Sequence, residues 1–120
     1  MSVPIVKQGD TLIASIVSAL TDDDLVKFRD DLAQRIGTSR ARGVVIDVTA
    51  LDVLDSFATR TLRNIALTAR LRGAETVIVG IQPEVAFSLV QLGLTFEGIS
   101  TALDLEEGLV LLARKRQERR

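Results

Sequence analysis

The sequence predicts an α/β domain: a mixed, mostly parallel β-sheet with helices packed on it, in the order β-β-α-β-α-β-α-β-α. Two observations carry that prediction. Short β-branched runs alternate with segments whose apolar residues recur every three to four positions, a pattern that implies right-handed β-α-β crossovers and a largely parallel sheet. The 120 residues, 47% of them hydrophobic and none a cysteine, histidine or tryptophan, suit one domain that buries a core without metal or disulfide support.

The elements follow in order. Residues 3–8 and 11–17 read as two short strands divided by Gly9-Asp10, a dipeptide suited to a hairpin turn. Thr21-Asp22-Asp23-Asp24 places capping and acidic residues before Leu25, Phe28, Leu32 and Ile36, an amphipathic helix that Gly37 is expected to close. After Gly43, the run Val44-Val45-Ile46-Asp47-Val48 is a central strand buried on both faces, and carboxylates cluster at its exit. A second helix should start near Asp55-Ser56, bury Ala58, Leu62, Ile65, Ala66 and Ala69, and end at Gly73. Residues 76–80 form the next buried strand. Gln82-Pro83-Glu84 opens a third helix, with contacts expected from Val85, Phe87, Leu89, Val90 and Leu92 before Gly93 stops it. A short extended piece near Ile99 leads to a final helix entered at Leu103-Asp104, with Leu105, Leu109, Val110, Leu112 and Ala113 expected to face inward. Residues 1–113 are expected to form the domain and 114–120 a basic C-terminal helical tail. The tail holds five basic residues against one acidic, the body ten against fifteen, and a solvated helix end is the plain reading of it.

Composition excludes much chemistry. Without cysteine or histidine the chain lacks the commonest zinc, haem and iron–sulfur ligands, thiol nucleophiles, and the side chain that titrates near neutral pH. Near-balanced charge (15 basic, 16 acidic) and 3% aromatic residues, all Phe, argue against nucleic acid as a partner. No targeting segment and no apolar run long enough to span a bilayer is visible, so a cytoplasmic protein without a membrane partner is expected. No dinucleotide fingerprint or phosphate-cradling loop stands between a strand and a helix.

In such sheets function sits beyond the carboxyl ends of the strands, which here means residues 47–57. Asp47, Asp52 and Asp55 could hold Mg2+ through hard oxygen ligands. Their ordinary roles are loop hydrogen bonding for Asp47, a turn for Asp52 and a helix cap for Asp55; no lysine is placed to support a metal, and none is expected. From the pattern alone Ser56 is a helix cap and Thr59 a surface residue. Ser56 has no histidine to activate it as a hydrolytic nucleophile. Phe57 is core by default, with a contact surface as the alternative.

Residues 43–57 (GVVIDVTALDVLDSF) resemble the signature of STAS domains, the anti-sigma-factor antagonist family. The likeness continues through 12–16, 80–86, Leu92-Gly93 and 101–109, and is to the single-domain stressosome scaffolds of that family. The resemblance implies a non-enzymatic scaffold without cofactors that sequesters a serine/threonine switch kinase in the general stress response. Phosphorylation of Ser56 by that ATP-dependent kinase would release it, and a dedicated phosphatase would reset the serine; Asp47, Asp52, Asp55, Phe57 and Thr59 would form the surrounding switch rim. Implied partners are further copies of the chain, as homodimers, and sensor paralogues with an extra N-terminal domain, in one large co-assembly. The paralogues' second phosphorylatable threonine falls on Asp23, with Thr21 close by, so one switch residue is expected. The alternatives are a simple antagonist that binds an anti-sigma kinase directly, and a small-ligand or nucleotide-binding α/β domain using the acidic rim with Mg2+.

Overall fold

The computed structural model describes residues 2–118. Five strands, β1 (Ile5–Gln8), β2 (Thr11–Ser15), β3 (Gly43–Asp47), β4 (Glu75–Val79) and β5 (Ser100–Ala102), lie side by side in chain order. The β1–β2 pair is antiparallel and the remaining pairs are parallel, as the alternation of elements predicts. Gly9 turns the opening hairpin at φ +62°, where a residue without Cβ is favoured. Four helices complete the fold: α1 (Asp22–Ser39), α2 (Ser56–Leu71), α3 (Pro83–Gln91) and α4 (Leu105–Glu118).

Each of the three parallel crossovers steps one strand in the same direction, so α1, α2 and α3 cover one face of the sheet. On that face Leu12, Ala14, Val44, Ile46 and Ile78 pack with Phe28, Leu32 and Ile36 of α1, Leu62, Ile65 and Ala69 of α2, and Val85 and Leu89 of α3. Val45, Val77 and Val79 point the other way and lie under Leu112 of α4. Alternate residues of β3 and β4 therefore serve two cores, which is why their sequences read as unbroken apolar runs.

α1 starts on a reciprocal cap: Thr21 Oγ1 accepts from Asp24 N–H (3.1 Å) and Asp24 Oδ2 accepts from Thr21 N–H (3.2 Å). It does not close at Gly37. The helix continues to Ser39 and ends on Arg40 in the left-handed region (φ 53°). Gly37 lies instead where α1 meets α2, since a Cβ there would stand 2.5 Å from Arg72 Nη2. Two further expectations need correction. Phe87, Val90 and Leu92 are 73%, 70% and 64% exposed, because the nine-residue α3 buries only the Val85–Leu89 row. Val110 and Ala113 are likewise exposed, while α4 seats on the sheet through Gly108 and Leu112. The opening strands are also shorter than expected: Ile16 and Val17 lie past the end of β2.

Residues 114–118 continue α4, and Arg119 and Arg120 lie outside the described residues. The helix end is tied down, not merely solvated: Arg116 Nη1 donates to both carboxylate oxygens of Asp10 at 2.7 Å. Every helix starts at the end of the molecule where the parallel strands finish. Carboxylates gather in those first turns (Asp22, Asp23, Asp24, Glu84, Glu106, Glu107) and at the α2 cap, Asp55, while Arg70, Lys115 and Arg116 occupy last turns at the other end. Among the described residues no helix is long and apolar enough to cross a membrane.

Candidate functional site

The rim at the strand exits is held in shape by its own side chains. Asp47 Oδ1 accepts from the backbone N–H (2.9 Å) and the hydroxyl (2.6 Å) of Thr49, the loop-orienting role expected of it. Thr49 O in turn accepts from Gln82 Nε2 at 2.7 Å, which joins the β3–α2 loop to the β4–α3 loop. Gly80, at φ +82°, permits that approach; a side chain there would collide with Thr49. Between these anchors Leu51 and Leu54 turn inward, and Asp52 and Val53 are left in solvent.

Asp55, not Ser56, caps α2. Its Oδ1 accepts from Ala58 N–H at 2.8 Å, and its backbone is extended as an N-cap requires. Ser56 is consequently the first residue of the helix, half-buried, and among the described residues its hydroxyl has no hydrogen-bond partner. Thr59 is not a surface residue: it is 2% exposed, with Oγ1 donating to Asp55 O at 2.8 Å, so the turn that carries Ser56 is braced from beneath. Phe57 is 38% exposed and belongs to the surface next to Ser56. The arrangement presents, at the positive end of a 16-residue helix, a hydroxyl with no hydrogen bond to a base among the described residues, the adjacent Asp55 carboxylate being engaged as the cap. Such a group can receive phosphate but cannot activate itself.

Asp47 and Asp55 are thus occupied in loop and cap, and Asp52 stands apart in solvent. Among the described residues no group of three or more carboxylates comes together to hold a metal ion.

One feature of the rim escaped sequence reasoning. A cavity of about 100 Å3, open to solvent, lies between the β2–α1 connection and the rim loop, walled by Ile16, Leu20, Leu25, Leu51, Leu54 and Leu62, with Ala19, Val53, Asp55 and Ala58 completing it. Its only sequence signal was the apolar residues in connections, Ala19-Leu20 and Leu51, Val53 and Leu54, which no helix or strand periodicity accounts for.

The STAS domain family matches residues 2–108. Among solved structures, a serine-to-glutamate variant of RsbS from Moorella thermoacetica is 38% identical with a TM-score of 0.83, over 96% of this chain and 97% of that one. A chain from the structure "Molecular architecture of the stressosome, a signal integration and transduction hub" is 39% identical with a TM-score of 0.81, over 94% and 98%. The RsbT co-antagonist protein RsbRA of Bacillus subtilis (strain 168) is 24% identical over 110 residues, which are 91% of this chain but 40% of RsbRA.

Proposed function

The chain belongs to the STAS domain family, and we propose that it is a non-enzymatic stressosome scaffold and anti-sigma-factor antagonist that holds a serine/threonine switch kinase and lets it go when Ser56 is phosphorylated. The observation that carries the reading is Ser56 itself, a hydroxyl without a partner among the described residues, at the start of α2 and beside exposed Val53 and Phe57. Likeness to RsbS over nearly the full length of both chains supports the scaffold role. The likeness to RsbRA, named for co-antagonism of RsbT, supports co-assembly with RsbR-type sensor paralogues around a shared partner. A resetting phosphatase completes the cycle, in the cytoplasm.

In the forward step Ser56 Oγ attacks the γ-phosphorus of ATP held by the kinase, the bond to the ADP oxygen breaks, and the serine proton passes to a base on the kinase. The chain contributes the geometry. Asp55 and Thr59 fix the first turn of α2, so the backbone that carries the hydroxyl is held in place. The new phosphate, about -1.5 to -2 charges, is stabilised where it stands by the free N–H groups of the helix start, so the fold survives the modification. Docking does not. Closing a partner over a dianion beside Asp52 and Asp55, against the apolar Val53 and Phe57, adds desolvation and like-charge repulsion. A penalty of ~3 kcal/mol weakens binding more than a hundredfold.

The test is incubation with the switch kinase and Mg-ATP, with phosphate mapped by mass spectrometry in the wild type and Ser56→Ala. Phosphate on Ser56, absent from the variant, is expected; an active kinase that leaves Ser56 unmodified overturns the reading. Ser56→Ala should keep kinase binding and Ser56→Asp should weaken it. Mixed with an RsbR-type paralogue, the protein should elute as a particle far larger than a dimer, whereas a simple antagonist would stay small.

A further inference from the structure

We propose that the cavity beside Ser56 is the socket for one apolar side chain of the kinase's docking segment, and that this segment carries lysine or arginine next to that side chain. The inference rests on the reading of the rim as the kinase-docking surface, and adds which part of the rim holds the partner and what the partner must present.

The walls decide the chemistry of the occupant. Nine of the ten residues that line the cavity are apolar, and the tenth, Asp55, has Oδ1 engaged as the α2 cap. Most of the surface an occupant would meet is apolar, so an aliphatic or aromatic side chain would replace water against leucine on several sides. The cavity opens to solvent between two connections, so such a side chain enters from outside without unfolding anything. The surroundings decide the flanks. α1 begins beside the cavity, where Leu20 and Leu25 contribute a wall, and its first turn is Asp22-Asp23-Asp24; on the opposite wall stands Asp55, with the exposed Asp52 in the same rim loop. The nearest basic residues along these two segments are Lys27 and Arg60, each farther down its helix. An apolar anchor entering here meets Asp55 in the wall and lies next to the acidic start of α1, and cationic neighbours on the partner complement that charge.

The experiment measures kinase affinity by calorimetry for the wild type and for variants that fill the cavity without removing core. Ala19 is exposed and Ala58 half-buried, and both line it, so Ala19→Leu and Ala58→Met occupy the socket. Each is expected to weaken binding about tenfold or more, with an unchanged melting temperature. Leu71→Ser, 89% exposed at the far end of α2, is expected to leave affinity unchanged. The double variant Asp22→Asn, Asp23→Asn should also weaken binding and flatten its dependence on salt; a salt response equal to that of the wild type overturns the cationic flanks. If the wild type binds and both filled variants bind equally well, the socket is wrong while the docking reading stands. If the wild type does not bind the kinase at all, the docking reading fails and takes the socket with it.

Discussion

At the scale of single residues, Asp55 and Ser56 divide two tasks that adjacent polar residues at a helix start could each have performed. The carboxylate closes the helix and the hydroxyl is left over, which suits the switch role proposed for it, because a group already holding the fold together would disturb it when modified. Stability measurements separate the two. Asp55→Ala should lower unfolding free energy by about 1 kcal/mol, the usual loss of a cap, and Asp55→Asn should restore most of it. Ser56→Ala should change stability by less than about 0.5 kcal/mol, since no hydrogen bond is lost. Urea titration of the three variants checks the order, and an Ser56→Ala loss equal to that of Asp55→Ala would contradict the assignment of the cap.

Among the elements, the two glycines inside helices that meet other parts of the chain at short range make opposite predictions. At Gly37 the obstructing atom is the tip of Arg72, which can swing away; Gly37→Ala should gain helix propensity and stabilise by about 0.5–1 kcal/mol. At Gly108 a Cβ would stand 2.7 Å from Val79 Cγ1, inside the α4–sheet contact. Gly108→Ala should therefore destabilise by about 1–3 kcal/mol despite the same propensity gain. Thermal unfolding should move in opposite directions for the two variants. The same pair marks what was legible in the sequence. The order of elements, the Thr21 cap and the doubly buried run of β3 have local signatures in spacing and residue type, and the structure agrees with them. Gly37 read as a helix stop because nothing local distinguishes a glycine that ends a helix from one that makes room for a neighbouring helix. Phe87 and Val90 read as core because an apolar residue on a short edge helix looks the same whether or not a layer covers it. Ser56 and Asp55 were both plausible caps, and only the backbone at 55 decides between them. The cavity had no periodicity of its own to betray it, since most of its walls are connections and only Leu25, Ala58 and Leu62 come from helices.

For the molecule as a whole, Arg116 joins the end of the last helix to the hairpin turn that opens the chain, over a sequence separation of 106 residues. The pair is partly exposed, so Arg116→Ala should cost no more than about 1 kcal/mol. Its effect is better sought in hydrogen exchange, where faster exchange should be confined to the last turns of α4 and to the hairpin.

The parallel alignment of the four helices, with carboxylates at their starts and cations in the last turns of α2 and α4, has a consequence for motion in solution. This placement of charge should give the domain a permanent electric moment with its negative pole on the face that holds Ser56. Full side-chain charges outweigh the opposing half-charges of the helix starts, so a partner with a positive patch experiences a torque that turns that patch toward the rim before the surfaces touch. Raising ionic strength from about 0.05 to 0.3 M should then slow association of the proposed kinase partner while leaving the dissociation rate nearly unchanged, a split that stopped-flow mixing resolves. Phosphate on Ser56 adds to the negative pole. It should leave encounters as frequent as before, or make them more frequent, and act by shortening how long each one lasts.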